Sequence, residues 1–238
     1  MGEVIVIEMC MDRRLVEIGK VLSDVEGTAN EKLRRLDTLV QKNTGTYKKL
    51  SDLIRTINPD DTVYVIANAG ANVNGHAKTL EHIGEIDRFV ILTHTDTKDV
   101  AKGCGAMGAL SQRIENKEHD GVFEHLGGES YLEGYTDRKG IEELNPIIQK
   151  ERAKKYVSEP EIIPVDTSHL ILPKDTGVHV AVVADPSKGM GYATNLRETP
   201  AFETYAIVGR REDVGVDVEI AKSLGMHEII NRQRRTIH

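Results

Sequence analysis

Near its N-terminus the chain reads Val4-Ile5-Val6-Ile7-Glu8-Met9-Cys10-Met11-Asp12-Arg13-Arg14, where a strand-forming run meets a thiol, a carboxylate and a guanidinium. The run from Val4 to Ile7 is β-branched and uninterrupted by polar residues, which predicts a strand buried on both faces of a parallel sheet. Cys10 falls at or just past the carboxyl end of that strand. Because ligands of open α/β sheets bind at this end, the stretch indicates a functional site.

The chain after Asp12 alternates between helical and strand patterns. A helical apolar spacing extends from about residue 12 to residue 57, and within it Thr28 and Glu31 have the spacing of a capping box. Strand-forming runs follow at 62–66 and 88–92, and a helix is expected between them. This β-α-β-α-β order predicts an α/β fold in which helices flank a mainly parallel central β-sheet.

The second half of the chain has weaker patterns. We expect helices at 141–157 and about 214–224, and strands at 178–184, 204–208 and 228–230. The segment 111–140 is charged and rich in glycine, which is typical of a loop or a lid. A chain of 238 residues can bury one large core, and we interpret residues 1–238 as a single domain.

Composition and charge restrict the function classes. The net charge of −7 argues against nucleic acid as a partner, because binding to phosphates needs a concentrated basic surface. No apolar run approaches the ~20 residues that span a bilayer, and the N-terminus lacks the positive charge of a secretory signal. We therefore expect no membrane partner and a cytoplasmic location. In a reducing compartment the chain's two cysteines are metal ligands, catalytic groups or inert core residues.

Several short motifs resemble the β-class carbonic anhydrases and occur in that family's order. Cys10-Met11-Asp12-Arg13-Arg14 fits the family's Cys-x-Asp-x-Arg, and Asn68-Ala69-Gly70 is similar to the loop after its second strand. His94-Thr95-Asp96 and Cys104-Gly105-Ala106-Met107 together resemble the family's His-x-x-Cys-Gly segment, divided here by an insertion. The resemblance extends over about residues 4–190 and implies a β-carbonic anhydrase-like fold.

The resemblance also implies a metal site and a reaction. Cys10, His94 and Cys104 would hold zinc (Zn²⁺), which prefers thiolate and imidazole, and three such ligands leave a fourth position for water. Asp12 and Arg14 match the family's carboxylate–guanidinium pair, in which the ionised carboxylate orients that water. The implied activity is that of a lyase, the reversible hydration of carbon dioxide to bicarbonate by zinc-bound hydroxide. The family forms dimers, so a homodimer or a dimer of dimers is expected.

Departures from the family leave alternatives open. A helical insertion at about 15–57 and a loop insertion at 97–103 both border the expected site. Aligned without the second insertion, Thr97 would replace Cys104, and its neutral hydroxyl is a poor zinc ligand. Asp12 itself could occupy the fourth zinc position and silence the site, as in some members of the family. The fold also allows hydrolysis of carbon disulfide or carbonyl sulfide, or a catalytically silent zinc-binding or interaction protein.

Overall fold

The structure, a computed structural model, describes residues 2–10, 12–24, 27–68, 70–116, 137–171, 180–185, 190–194 and 205–208. Its strands are β1 (Val4–Cys10), β2 (Thr62–Asn68), β3 (Arg88–Thr95), β4 (Glu161–Asp166), β5 (Val180–Asp185), β6 (Met190–Thr194) and β7 (Tyr205–Val208). Its helices are α1 (Arg13–Leu22), α2 (Ala29–Leu39), α3 (Gly45–Thr56), α4 (Ala77–Ile83), α5 (Gly105–Glu115) and α6 (Arg138–Ala153). The helix expected at 214–224 and the strand expected at 228–230 lie outside the described residues, as does most of the expected lid.

The described strands form one sheet in the order β4-β3-β1-β2-β7-β6-β5. The first four of these are parallel neighbours. The other three are antiparallel, with β7 against β2, β6 against β7 and β5 against β6. The predicted α/β fold is therefore confirmed in a parallel four-stranded part with flanking helices, and the later strands extend it as an antiparallel part.

The strand β1 is buried on both faces, as its unbroken apolar run predicts. Ile5 and Ile7 point into a core shared with α1, α2, α3, α5 and α6. Val6 points to the opposite face, where it joins a second cluster with Phe89 of β3 and Leu80 of α4. Ile5, Val6 and Ile7 are all fully shielded from solvent. The central position of β1 in the parallel part follows from this two-sided burial.

The three helices between β1 and β2 correspond to the predicted helical insertion. Each begins at a residue whose side chain accepts a hydrogen bond from a first-turn backbone N–H, namely Asp12, Thr28 and Thr44. The predicted capping box is confirmed, since the Glu31 carboxylate also accepts from the Thr28 amide at 2.8 Å. The helices bury their apolar faces in the same core as β1, so this segment is packed against the sheet.

The strand β4 was not expected from the sequence. It contains Pro164, which has no backbone N–H to donate to a sheet ladder. The structure places β4 at the edge of the sheet, paired only with β3 among the described strands. A proline is tolerated there because one side of an edge strand needs no partner.

Within the described residues, no helix combines the length and the apolar character needed to cross a bilayer.

The packing of α2 against the sheet leads to a stability prediction. Leu36 is fully buried in the core that contains β1, so Leu36→Ala should lower the free energy of unfolding by about 2–5 kcal/mol. Arg34→Ala, at an exposed position of the same helix, should change it by less than about 0.5 kcal/mol. Urea unfolding measures both values. Equal effects of the two substitutions would show that α2 does not belong to this core.

Candidate metal centre

The carboxyl edge of the parallel strands brings three soft or borderline donor groups together. Cys10 is the last residue of β1, and His94 is the next-to-last residue of the neighbouring strand β3. Cys104 immediately precedes α5. All three side chains are buried, and their donor atoms lie within 4.8 Å of one another. These three residues could therefore hold a metal ion.

The distance between the two sulfurs fits a tetrahedral metal. The Sγ atoms of Cys10 and Cys104 lie 3.8 Å apart. Two thiolates bound tetrahedrally to one zinc, each at about 2.3 Å, have sulfurs about 3.8 Å apart. The donor set of two sulfurs and one imidazole is also one that zinc prefers, so the cluster is compatible with Zn²⁺.

The buried imidazole of His94 gives an independent indication of a metal. Its side chain is fully shielded from solvent, and neither ring nitrogen has a partner with hydrogen-bond geometry among the described residues, although the sulfur of Cys104 lies close enough to interact with the ring. A buried polar group without a partner costs about 1–3 kcal/mol of stability, and such groups are rare in folded proteins. Coordination by one ring nitrogen would remove part of this cost, so the residues present fit a metal ligand set.

Backbone N–H groups stabilise both sulfurs as thiolates. The Gly70 amide donates to Cys10 Sγ at 3.3 Å, from a turn in which Gly70 has a φ of +77°. The Met107 amide, in the first turn of α5, donates to the sulfur of Cys104. A thiolate at a helix N-terminus is further favoured by the helix dipole. Gly70, just after β2, thus lies directly against the sulfur of Cys10.

The ionisation of each of these three side chains depends on the other two. A hydrogen bond from Cys10 lowers the pKa of Cys104 well below that of an ordinary thiol, and the neighbouring His94 adds to this effect. The same hydrogen bond, together with burial, raises the pKa of Cys10. Burial alone would lower the pKa of His94, but the negative charges of Cys104 and Asp12 outweigh it and raise that pKa. Cys104 is therefore the more acidic thiol of the pair and Cys10 the less acidic one.

Asp12 and Arg14 form a bidentate ion pair beside the cluster. Arg14 donates from Nε to Asp12 Oδ1 and from Nη2 to Asp12 Oδ2, both at 2.8 Å. The remaining nitrogen Nη1 donates to Thr167 Oγ1 at 2.9 Å, and Nη2 also reaches the carbonyl oxygen of Gly103. Asp12 Oδ2 lies 3.8 Å from His94 Nε2. The structure therefore brings both predicted residues to the edge of the metal cluster.

Arg14 keeps the Asp12 carboxylate ionised. Burial would raise the pKa of Asp12, but the hydrogen bonds from Arg14 and the charges of His94 and Arg14 outweigh it. The pKa of Asp12 is consequently lowered from its ordinary value. At neutral pH Asp12 can accept hydrogen bonds but cannot donate them.

Thr97, the first residue of the loop 97–103, is hydrogen-bonded to β4 and not to the cluster. The backbone N–H and the hydroxyl of Thr97 both donate to the Asp166 carboxylate. The loop begins where Asp96 accepts from the Lys98 and Asp99 amides, and it contains a single 3-10 turn at Val100–Lys102. Cys104, and not Thr97, thus lies next to Cys10 and His94.

Two site residues were missed by the sequence reasoning. Thr167 follows the unexpected strand β4 and accepts from Arg14. Glu142 lies on α6, where its carboxylate accepts from the Cys104 amide at 2.8 Å. A signal for Glu142 was present, because it shares the buried face of α6 with apolar residues such as Ile141 and Ile148. A charged residue on such a face requires a partner inside the protein.

The cluster predicts a zinc site that depends on Cys104 and not on Thr97. Loss of an outer-shell partner typically weakens metal binding 10- to 100-fold, so Cys104→Ser should weaken zinc binding by more than about 100-fold. Thr97→Ala should leave the affinity unchanged. Competition with a chromophoric chelator measures both. A Cys104→Ser protein that binds zinc as tightly as the wild type would contradict the three-ligand site.

Zinc binding to this cluster should release protons. Metal ligation needs a deprotonated Cys10, whose pKa is raised, and a neutral His94, whose pKa is raised above 6.5. We expect about one to two protons released per zinc at pH 7, and an affinity that falls as the pH is lowered further. Titration calorimetry in buffers of different ionisation enthalpy counts these protons. Binding without proton release would contradict the assignment of the ligands.

Comparisons with known proteins identify no family for this chain. No family model, no curated protein and no solved structure matches the chain. Cys10, His94 and Cys104 form a buried group that could bind a metal ion, and zinc is compatible with it.

Proposed function

We propose that this protein is a zinc-dependent lyase of the β-carbonic anhydrase type, which interconverts carbon dioxide and bicarbonate. One observation carries the proposal: the Asp12–Arg14 ion pair lies directly beside the Cys10–His94–Cys104 cluster. Asp12 Oδ2 is 3.8 Å from His94 Nε2. A structural zinc site needs four protein ligands and no neighbouring acid–base group. Three ligands with an adjacent ionised carboxylate are the arrangement of a catalytic site.

The chemistry follows from the roles of these side chains. Zn²⁺ in this site would act as a Lewis acid and lower the pKa of a water molecule toward neutrality. Asp12, ionised at neutral pH, can accept a hydrogen bond from the attacking water and thereby orient it. Arg14 fixes the carboxylate through two hydrogen bonds, and Thr167 holds the remaining guanidinium nitrogen. Hydration of carbon dioxide needs only such an oriented nucleophile and an exit for the proton.

The ion pair also bears on whether Asp12 would ligate the metal and silence the site. Both carboxylate oxygens accept charge-assisted hydrogen bonds from Arg14. Ligation by Asp12 would require at least one of these bonds to break, and charge-assisted hydrogen bonds are among the stronger ones. The observed geometry thus favours an active site with its fourth position left for water.

The catalytic role of the ion pair can be tested in a carbon dioxide hydration assay. Asp12→Asn and Arg14→Gln should each lower the hydration rate by about 10²- to 10⁴-fold. The first variant lacks the carboxylate that orients the water, and the second lacks the guanidinium that holds this carboxylate in place. Both variants should retain their zinc. Stopped-flow measurements at neutral and alkaline pH provide the rates.

Asp24→Asn is the matched control. It breaks a different ion pair, that between Asp24 and Arg35 of α2, and neither residue of this pair is close in sequence to the three ligands. It should leave the rate unchanged. A wild-type rate in Asp12→Asn would contradict the proposed role of the carboxylate. Zinc-loaded wild-type protein that hydrolyses carbon disulfide or carbonyl sulfide instead would assign the substrate differently. Zinc binding with no turnover of any of the three substrates would indicate a silent zinc-binding protein.

A homodimer or a dimer of dimers, implied by the resemblance to this family, remains a prediction. Sedimentation equilibrium of the zinc-loaded protein tests it directly, since a monomer of 26.4 kDa would contradict it.

A further inference from the structure

The backbone of Cys104 is held at both of its polar atoms by one ion pair on α6. The Cys104 N–H donates to Glu142 Oε1 at 2.8 Å, and the Cys104 carbonyl oxygen accepts from Arg138 Nη2 at 3.2 Å. Arg138 Nε and Glu142 Oε1 are themselves 3.2 Å apart, one helical turn from each other. One pair of side chains therefore binds both backbone polar groups of Cys104, whose carbonyl oxygen also accepts from the Gly108 amide at 3.0 Å.

The Glu142 carboxylate also reaches the strand that carries the histidine. Its second oxygen, Oε2, accepts from the Thr95 hydroxyl at 2.7 Å, and Thr95 directly follows His94. The carboxylate thus links the segments of two different metal ligands. Its side chain is only 3% exposed. A buried carboxylate is costly unless it is fully hydrogen-bonded, and here Cys104, Thr95 and Arg138 supply the bonds.

Two glycines provide the space for this ion pair. A Cβ atom at Gly103 would lie 2.2 Å from Glu142 Oε1, and a Cβ atom at Gly108 would lie 2.8 Å from Arg138 Nη1. Both distances are too short for nonbonded atoms, so each side chain occupies room that only glycine leaves free. The sequence around Cys104 is therefore complementary in shape to the pair on α6.

A second pair on the same helix has the same spacing but none of these contacts. Lys139 and Glu143 are 3.7 Å apart, and their side chains are 69% and 62% exposed. Such solvated i, i+4 pairs contribute little to stability. The buried pair differs because it binds the backbone N–H and carbonyl oxygen of a candidate metal ligand.

We propose that Arg138 and Glu142 act as positioning residues that hold the Cys104 thiolate at the distance from Cys10 and His94 that a metal needs. The proposal rests on the metal site of the proposed function. It adds that α6 controls metal affinity without contributing a ligand. Outer-shell partners of this kind typically change metal affinity 10- to 100-fold.

The test compares the two ion pairs of α6 by neutralising each member. Arg138→Gln and Glu142→Gln should weaken zinc binding by about 10- to 100-fold, whereas Lys139→Gln and Glu143→Gln should leave it within about twofold of the wild type. Chelator competition gives the affinities. The Co²⁺-substituted protein gives a second readout, because sulfur-to-cobalt charge-transfer absorption should weaken only when Cys104 is displaced.

A double-mutant cycle separates positioning from general destabilisation. The effects of Arg138→Gln and Glu142→Gln on zinc affinity should be non-additive, and those of Glu142→Gln and Lys139→Gln should add. Thermal unfolding of the metal-free variants should show that all of them remain folded. Arg138→Gln keeps the Glu142 carboxylate in place, so it decides the question if Glu142→Gln does not fold.

The outcomes distinguish this inference from the proposed function. If wild-type protein binds no zinc or Co²⁺, the metal site is wrong and the inference falls with it. The metal site is supported if the wild type binds zinc and Cys104→Ser does not. Arg138→Gln and Glu142→Gln could still bind zinc as tightly as the control variants Lys139→Gln and Glu143→Gln. In that case the positioning role of the ion pair is contradicted.

Discussion

The parallel pairing of β1 with β3 is the constraint on which the site depends. It aligns Met9 with Leu92, so that Cys10 and His94 leave the sheet at the same edge. A shift of one residue in this register would move Cys10 by about 3.3 Å along β1 relative to His94, and it would also exchange the faces on which the apolar side chains of β1 are buried. The register is fixed by apolar side chains buried on both faces of β1, so the core and the metal centre have the same physical origin.

The third ligand depends on a different kind of interaction. Cys104 does not belong to a strand, and its position is set by hydrogen bonds from α6 and by the contact between Arg14 and Gly103. Arg14 therefore has two roles: it orients Asp12 and it holds the end of the loop that precedes Cys104. The catalytic pair and the ligand set form one connected network.

The sequence predicted the parts of the molecule that are encoded locally. The β-branched runs predicted β1, β2 and β3, and the positions of Cys10 and His94 at strand ends followed from them. The edge strand β4 was missed because Pro164 argues against a strand unless its edge position is known. The partners of Cys104 could not be predicted, since Glu142 lies 38 residues and Arg138 34 residues from it in the chain. Helical periodicity identifies a buried face but not the group that this face contacts.

X-ray absorption at the zinc edge, on protein loaded with one equivalent of zinc, would decide whether these three side chains form one metal site. The structure predicts two sulfur neighbours at about 2.3 Å and two nitrogen or oxygen neighbours at about 2.0–2.1 Å. Cys104→Ser should remove one of the two sulfurs from this shell. A wild-type spectrum with no sulfur or a single sulfur in the first shell would contradict a site formed by Cys10, His94 and Cys104.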